Sequence, residues 1–163
     1  MTQQSYVIRP ITRPEAKQIL SWRYDAPYDF YDPPEPEDIE SLLDKFMLPE
    51  NCFHGVRDDT NRFVGFCSFG LDGQVLGGDY DDGPLDLGLG MKPQETNLGR
   101  GRLFFRSIVD FAIQHYGANA LRLSVAKFND RAIRVYQSLG FETTGEFFEV
   151  ASDTPYLIME KAV

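Results

Sequence analysis

"VAKFNDRAIRVYQSLGF", residues 125–141, changes its hydrophobic period partway through. Val125 and Ala126 close an alternating run that starts at Ala120, the pattern of a β-strand. From Asn129 onward the apolar residues fall at Ala132, Val135, Tyr136 and Leu139, which is the i, i+3, i+4, i+7 stripe of a helix over 129–139. Asn129 stands where a helix N-cap belongs, and Gly140 stands just past the last periodic residue, the place of a C-terminal glycine. The segment reads strand, cap, helix, glycine, and then a new strand from Phe141.

The next informative stretch lies upstream. "QETNLGRGRLFFRSIVDFA", residues 94–112, places Gly99 and Gly101 where an apolar helical pattern begins, with Phe104, Ile108, Phe111 and Ala112 on one face of a helix over 98–116. Glycine weakens a helix interior by roughly 1 kcal/mol relative to alanine, so two of them at a helix start need a reason. A strand (84–93, closed by Pro93), a glycine-spaced turn and a helix make a phosphate-binding arrangement. The first amides of a helix have no intrahelical partner, and the helix dipole adds positive potential there. Arg100, Arg102 and Arg106 add charge for an anion. The Walker pattern is absent, and a dinucleotide fingerprint would need glycine at position 104, which is Phe104. Close helix packing is the alternative reason for small residues here.

Working outward, residues 5–10 read as a strand stopped at Pro10, and 12–24 as a helix capped by Thr12 with Pro14 in its first turn. Residues 25–38 are a loop crowded with proline, aspartate and aromatics, and 36–48 are a helix ended by Pro49. Residues 52–58 and 62–71 form an antiparallel hairpin, 73–83 a flexible acidic loop, 141–150 and 155–163 the last two strands. The order β-α-α-β-β-β-α-β-α-β-β gives a single α/β domain over 1–163, a mixed sheet with helices on its faces. The N-terminal MTQQSYVIRP lacks a basic region followed by an apolar stretch, so no leader is expected, and no apolar run approaches membrane-spanning length. Cys52 and Cys67 both fall in strand-like runs and are expected as buried reduced thiols, which fits a cytoplasmic location. With His54 and His115 they do not make a metal-ligand spacing, so no metal is expected. Net charge is −9, against nucleic acid or an anionic membrane as partner. Residues 100–134 carry +5, leaving −14 for the rest, so an anion is expected at one place and a cationic partner at another.

Taken together, the two motifs resemble the GNAT N-acyltransferase superfamily. Its members carry N-x-x-A-x-x-x-Y, then glycine and phenylalanine, here Asn129, Ala132, Tyr136, Gly140 and Phe141. Their acyl-CoA loop, Q/R-x-x-G-x-G/A, is matched by Thr96-Asn97-Leu98-Gly99-Arg100-Gly101, with Thr96 in place of the usual Gln or Arg. The W-x-Y-x-x-P-Y-x-x-Y run from Trp22 looks like that of bacterial members. The resemblance implies a mostly antiparallel central sheet of about seven strands flanked by four helices, splayed at a cofactor cleft. It implies acetyl-CoA as co-substrate and direct attack by a primary amine. Leu89, Gly90 and Met91 would pair with the pantetheine arm, a backbone amide near Gly90 or Met91 serving as oxyanion donor. The pyrophosphate would sit on amides from Leu98 to Arg102, with Asn129 and Arg134 as further cofactor contacts. Tyr136 would protonate the leaving thiolate, and Asp86 resembles in position the base of some members, with Asp79, Asp81 and Asp82 or a water chain as rivals. Trp22, Tyr24, Tyr28 and Tyr31, among Asp25, Asp29 and Asp32, would meet a cationic amine, unless that loop is simply packed by its own aromatics. A non-catalytic acyl-CoA sensor of the same fold and an ATP- or NAD-binding protein are the rival readings, and either a monomer or a homodimer fits.

Overall fold

A computed structural model describes residues 4–35 and 37–163. Pro36, the first residue of the expected 36–48 helix, and residues 1–3 of the N-terminal stretch lie outside the described residues. The strands are β1 (Val7–Pro10), β2 (His54–Arg57), β3 (Phe63–Phe69), β4 (Leu85–Met91), β5 (Ala120–Ala126), β6 (Glu142–Phe148) and β7 (Pro155–Ala162). The helices are α1 (Arg13–Leu20), α2 (Ile39–Met47), α3 (Gly101–Tyr116) and α4 (Asp130–Ser138), in the expected order.

Local chemistry fixes the helix starts. Thr12 and Glu15 form a reciprocal capping box on α1 with Pro14 in its first turn, and Asp38 caps α2 through the Ser41 amide. Asn129 caps α4 by accepting from the Ala132 amide at 3.2 Å. Gly117 ends α3 at φ +63 and Gly140 follows α4 at φ +91, both left-handed positions that favour glycine.

All seven strands join one sheet in the order β1-β2-β3-β4-β5-β7-β6. Every neighbouring pair is antiparallel except β4–β5, which is parallel. One face carries the larger core, where Leu87, Leu121, Leu123 and Met159 meet Phe104, Phe105 and Ile108 of α3. The other face carries a smaller core of Ile11, Ala16, Ile19, Trp22, Leu43 and Phe63 under α1 and α2.

Two local expectations are corrected. Cys52 is outside any strand, at φ +50 after a 3₁₀ turn, and only half-buried. Cys67, in β3, is fully buried, and burial pushes its thiol pKa up. Residues 73–83 are held down: the Tyr80 hydroxyl shares a 2.6 Å hydrogen bond with Ser124 and accepts from the Val75 amide, and the Val150 amide donates to the Leu76 carbonyl. His54 is buried among Phe69, Phe111, His115 and Tyr116, so its ring packs an aromatic cluster, where burial lowers its pKa.

Candidate active site

The site begins where a ladder stops. β4 and β5 pair only at Leu85↔Leu121, Asp86↔Arg122 and Leu87↔Leu123. The bonding phase of β4 is set by two bonds to β3, Lys92 N–H to Val64 C=O at 2.8 Å and Gly70 N–H to Asp86 C=O at 2.9 Å. In an antiparallel pair the bonded residues alternate, so 86, 88, 90 and 92 address β3, while Leu87, Leu89 and Met91 address β5. Lys127 N–H donates to Pro155 C=O, so by the same alternation Arg122, Ser124 and Ala126 address β4. The rung after Leu87 would be Leu89 N–H to Ser124 C=O, and the register ends before it. Gly90 directs its N–H at Phe66, which removes it as an oxyanion donor, so Leu89 and Met91 are the residues whose amides face the gap. The Met91 carbonyl is already taken, accepting from the Tyr24 hydroxyl at 2.6 Å.

Below the gap lies the glycine loop. Asn97 and Gly99 have φ of +60 and +73, and Gly99 precedes the α3 N-cap, Arg100, so it lies before the expected helix interior. A Cβ at Gly99 would meet nothing within 4 Å, which leaves the position open to the cleft. Gly101 is different. A Cβ there would make an ordinary van der Waals contact with Val135 of α4 at 3.4 Å, so packing alone does not require glycine at this position. The first intrahelical bond of α3 is Phe104 N–H to Arg100 C=O at 3.0 Å, so the amides of Gly101, Arg102 and Leu103 have no intrahelical acceptor.

Gap and loop belong to one cleft of about 780 Å³. Leu89, Gly90 and Met91 line it from β4, and Thr96, Asn97, Gly99, Arg100, Gly101 and Arg102 from the loop. Asn129 and Tyr136 line it from α4 and its cap. Leu98 and Arg134 do not line it, and Leu98 is exposed to solvent. Arg106 faces a separate groove with Tyr6 and Asp110 on the outer side of α3. Arg100 is paired with Glu95, and Arg131 stacks its guanidinium 4.0 Å over Tyr28 while donating to Asn97.

Tyr136 is buried between Phe105 (ring centroids 4.6 Å apart) and Phe141. Burial, with a smaller contribution from Tyr31, raises its pKa, so the phenol keeps its proton through neutral pH. Tyr31 lines the same cleft and accepts from the Asn129 side-chain amide at 3.2 Å; burial raises its pKa as well. Tyr28, Phe30 and Tyr31 pack on Phe128, so the loop from residue 25 bridges from the end of β4 to the start of α4. Tyr24, Tyr28 and Tyr31 all line the cleft. Trp22 does too, but it is 6% exposed and stacked on Phe63, so it belongs chiefly to the smaller core.

Asp86 lies elsewhere. It is buried, is not part of the cleft wall, and accepts from Arg122 Nε at 2.6 Å, Arg122 Nη2 at 2.9 Å and Gln74 at 2.9 Å. Arg122 also binds Asp81 at 2.6 Å, and its guanidinium lies 5.1 Å over the Tyr80 ring. Asp79 and Asp82 are exposed and do not line the cleft. Sequence reasoning missed Asp72, Ser124 and Tyr156, which line the cleft on the α1/α2 side of the sheet. Asp72 follows a strand in an ordinary turn, and no spacing ties it to the motifs. Among the described residues there is no group of three or more His, Cys, Asp or Glu able to hold a metal, and no helix long and apolar enough to cross a membrane.

The family model described as Acetyltransferase (GNAT) family matches residues 16–141. No curated protein matches the sequence. Among solved structures, the spermidine N-acetyltransferase of Vibrio cholerae, in complex with CoA and spermine, is similar with a TM-score of 0.75 at 17% identity, over 97% of this chain and 95% of that one. AAC(6')-Ib in complex with paromomycin and acetyl-CoA gives 0.74 at 16%, over 97% and 93%. A GNAT-family acetyltransferase from Bacillus anthracis gives 0.71 at 14%, over 97% and 95%.

Proposed function

This chain belongs to the GNAT family of acetyltransferases, and on that premise we propose that it transfers an acetyl group from acetyl-CoA to a primary amine. The observation that carries the reading is the unmade rung at Leu89, which leaves strand-edge groups open in line with the free amides of α3. Those groups fit a pantetheine arm lying as a short extra strand, with its diphosphate on the amides of Gly101 to Leu103. The arm then runs from the loop back toward Leu87, which puts its thioester end at Leu89. The Leu89 amide is the oxyanion donor in this arrangement, next to the expected Gly90 and two residues before the expected Met91, whose amide also faces the gap.

The acceptor nitrogen attacks the thioester carbon, the C–S bond breaks, and Tyr136 gives its proton to the leaving sulfur. No covalent enzyme intermediate is needed. Asp86 serves Arg122 and is not the base in this reading. The amine is cationic. The chain outside residues 100–134 carries −14, tyrosine faces line the acceptor side, and structures of the same fold are named with spermine and paromomycin as ligands.

The test is calorimetric binding of acetyl-CoA followed by thiol release with a panel of amines. Thiol release with at least one amine is the expected result, and binding without release would make the chain an acyl-CoA sensor instead. Gly99→Glu places a carboxylate where the diphosphate would sit and should weaken acetyl-CoA by about 100-fold, the equivalent of one like-charge repulsion at ~6 Å in a half-solvated site. Gly99→Asn, which tolerates the left-handed backbone, should keep binding within about threefold and separates charge from conformation.

A further inference from the structure

We infer that Asp72 is the carboxylate that receives the acceptor's ammonium group and takes its first proton. The inference rests on the acetyl-transfer reading above and names a residue for a step that reading leaves without one.

The cleft wall contains two carboxylates, Asp72 and Glu95. Glu95 is committed to Arg100 and approaches Arg62 at 3.6 Å. Asp72 has no cation within 4.0 Å among the described residues, and its one side-chain partner is neutral: Ser68 Oγ donates to Oδ2 at 2.6 Å. Asp72 lines the cleft and is solvent-exposed there, and its other oxygen has no hydrogen-bond partner among the described residues. A carboxylate left with spare acceptor capacity in an aromatic-lined cleft suits an ammonium ion.

Its position suits the chemistry as well. Oδ2 lies 3.3 Å from where a Cβ at Gly88 would stand, and Gly88 precedes Leu89, the residue of the first unmade rung. At about 3.3 Å per strand residue, the carboxylate is beside the thioester end of the gap and not beside the diphosphate end. Gly88 itself is explained by this pair. A Cβ there would stand 2.3 Å from Ser68 Oγ and would displace the hydroxyl from Asp72.

The groups facing Asp72 are few. β3 supplies Ser68, and β4 supplies Gly88 and, through Gly73, the backbone of Leu87. Ser124 of β5, whose hydroxyl is bonded to Tyr80, and Tyr156 of β7 line the same cleft. The nearest charged pair along β4 is Asp86 with Arg122, which Gln74 joins through Asp86. Partial desolvation raises the Asp72 pKa and the Ser68 hydrogen bond lowers it.

Protons balance as follows. The ammonium gives one proton to Asp72 and becomes a free amine. The amine forms the C–N bond, and after C–S cleavage Tyr136 protonates the thiolate. The second nitrogen proton returns to the Tyr136 phenolate, and Asp72 releases its proton to water. The net products are amide, free thiol and one proton.

Asp72→Asn is the deciding variant, made in the full chain and assayed with acetyl-CoA and whichever amine of the panel gives turnover. The expected result is acetyl-CoA affinity within about twofold of the parent, kcat/KM for the amine lowered by about 100-fold, and loss of the acidic limb of its pH profile. Ser68→Ala should move that limb to higher pH, because it removes the bond that holds the Asp72 pKa down, whereas a merely structural role would leave the limb in place. Asp72→Glu should recover part of the rate. Unchanged amine kinetics and an unmoved limb in Asp72→Asn overturn the assignment while acetyl transfer stands. If the parent protein releases thiol with no amine, acetyl transfer itself fails, and the assignment fails with it.

Discussion

Tyr136→Phe is expected to lower kcat for thiol release by about 100-fold or more while KM for acetyl-CoA changes by less than about threefold. The phenol is the buried hydroxyl of the cleft closest in kind to what a leaving thiolate needs, a donor that stays protonated at neutral pH. The variant removes one oxygen and keeps the ring that packs on Phe105 and Phe141, so the fold should survive, which a thermal melt would verify. Because burial raises the Tyr136 pKa above its ordinary value of 10.0, the parent enzyme should lose no activity from this group up to about pH 10. An unchanged kcat would move the acid elsewhere, with Tyr31 the next phenol to replace.

The second large effect is on stability. Arg122→Met should destabilise the protein by about 3–5 kcal/mol, since it leaves Asp86 buried with only Gln74 as partner. For a chain of this size that corresponds to a fall in Tm of roughly 6–20 °C, measurable by calorimetry or urea titration. The double variant Arg122→Met with Asp86→Leu should be more stable than Arg122→Met alone, because the orphaned charge is gone. Equal losses in the single and double variants would mean that the ion pair is not what Arg122 contributes. Arg122 also anchors Asp81, so the single variant should loosen residues 73–83 beside the acceptor side of the cleft.

What could be read from the sequence was what lies close along the chain. Strand and helix periods, Pro10, Pro14, Pro49 and Pro93, and the caps at Thr12 and Asn129 placed every element to within a few residues. The turn with open amides ahead of α3 is legible because Gly99, Gly101 and the helix that follows are contiguous. The pairing that keeps Asp86 out of the cleft wall is not legible in sequence, because Arg122 is 36 residues away and reaches it only through parallel pairing of β4 with β5. The place of Asp72 in the cleft wall is hidden for the same reason: its surroundings, Ser68 and Gly88, lie on two neighbouring strands. Of the two expected oxyanion donors, Gly90 turns its amide to β3 and Met91 keeps its amide toward the gap, because strand phase, which decides where an amide points, is set by the partner strand and not by composition. Trp22 was assigned to substrate because aromatic residues in a loop look alike in sequence, whether they face ligand or core.

The short parallel seam has a mechanical consequence. Sheets ordinarily hold their slowest-exchanging amides at the centre and their fastest at the rim. Here the centre is where bonding lapses, so deuterium should enter at Leu89 and Met91 sooner than at Leu123 or Val125, only one strand away. The molecule behaves as two leaves sharing a three-rung spine, and whatever fills the space between them acts as the missing rungs.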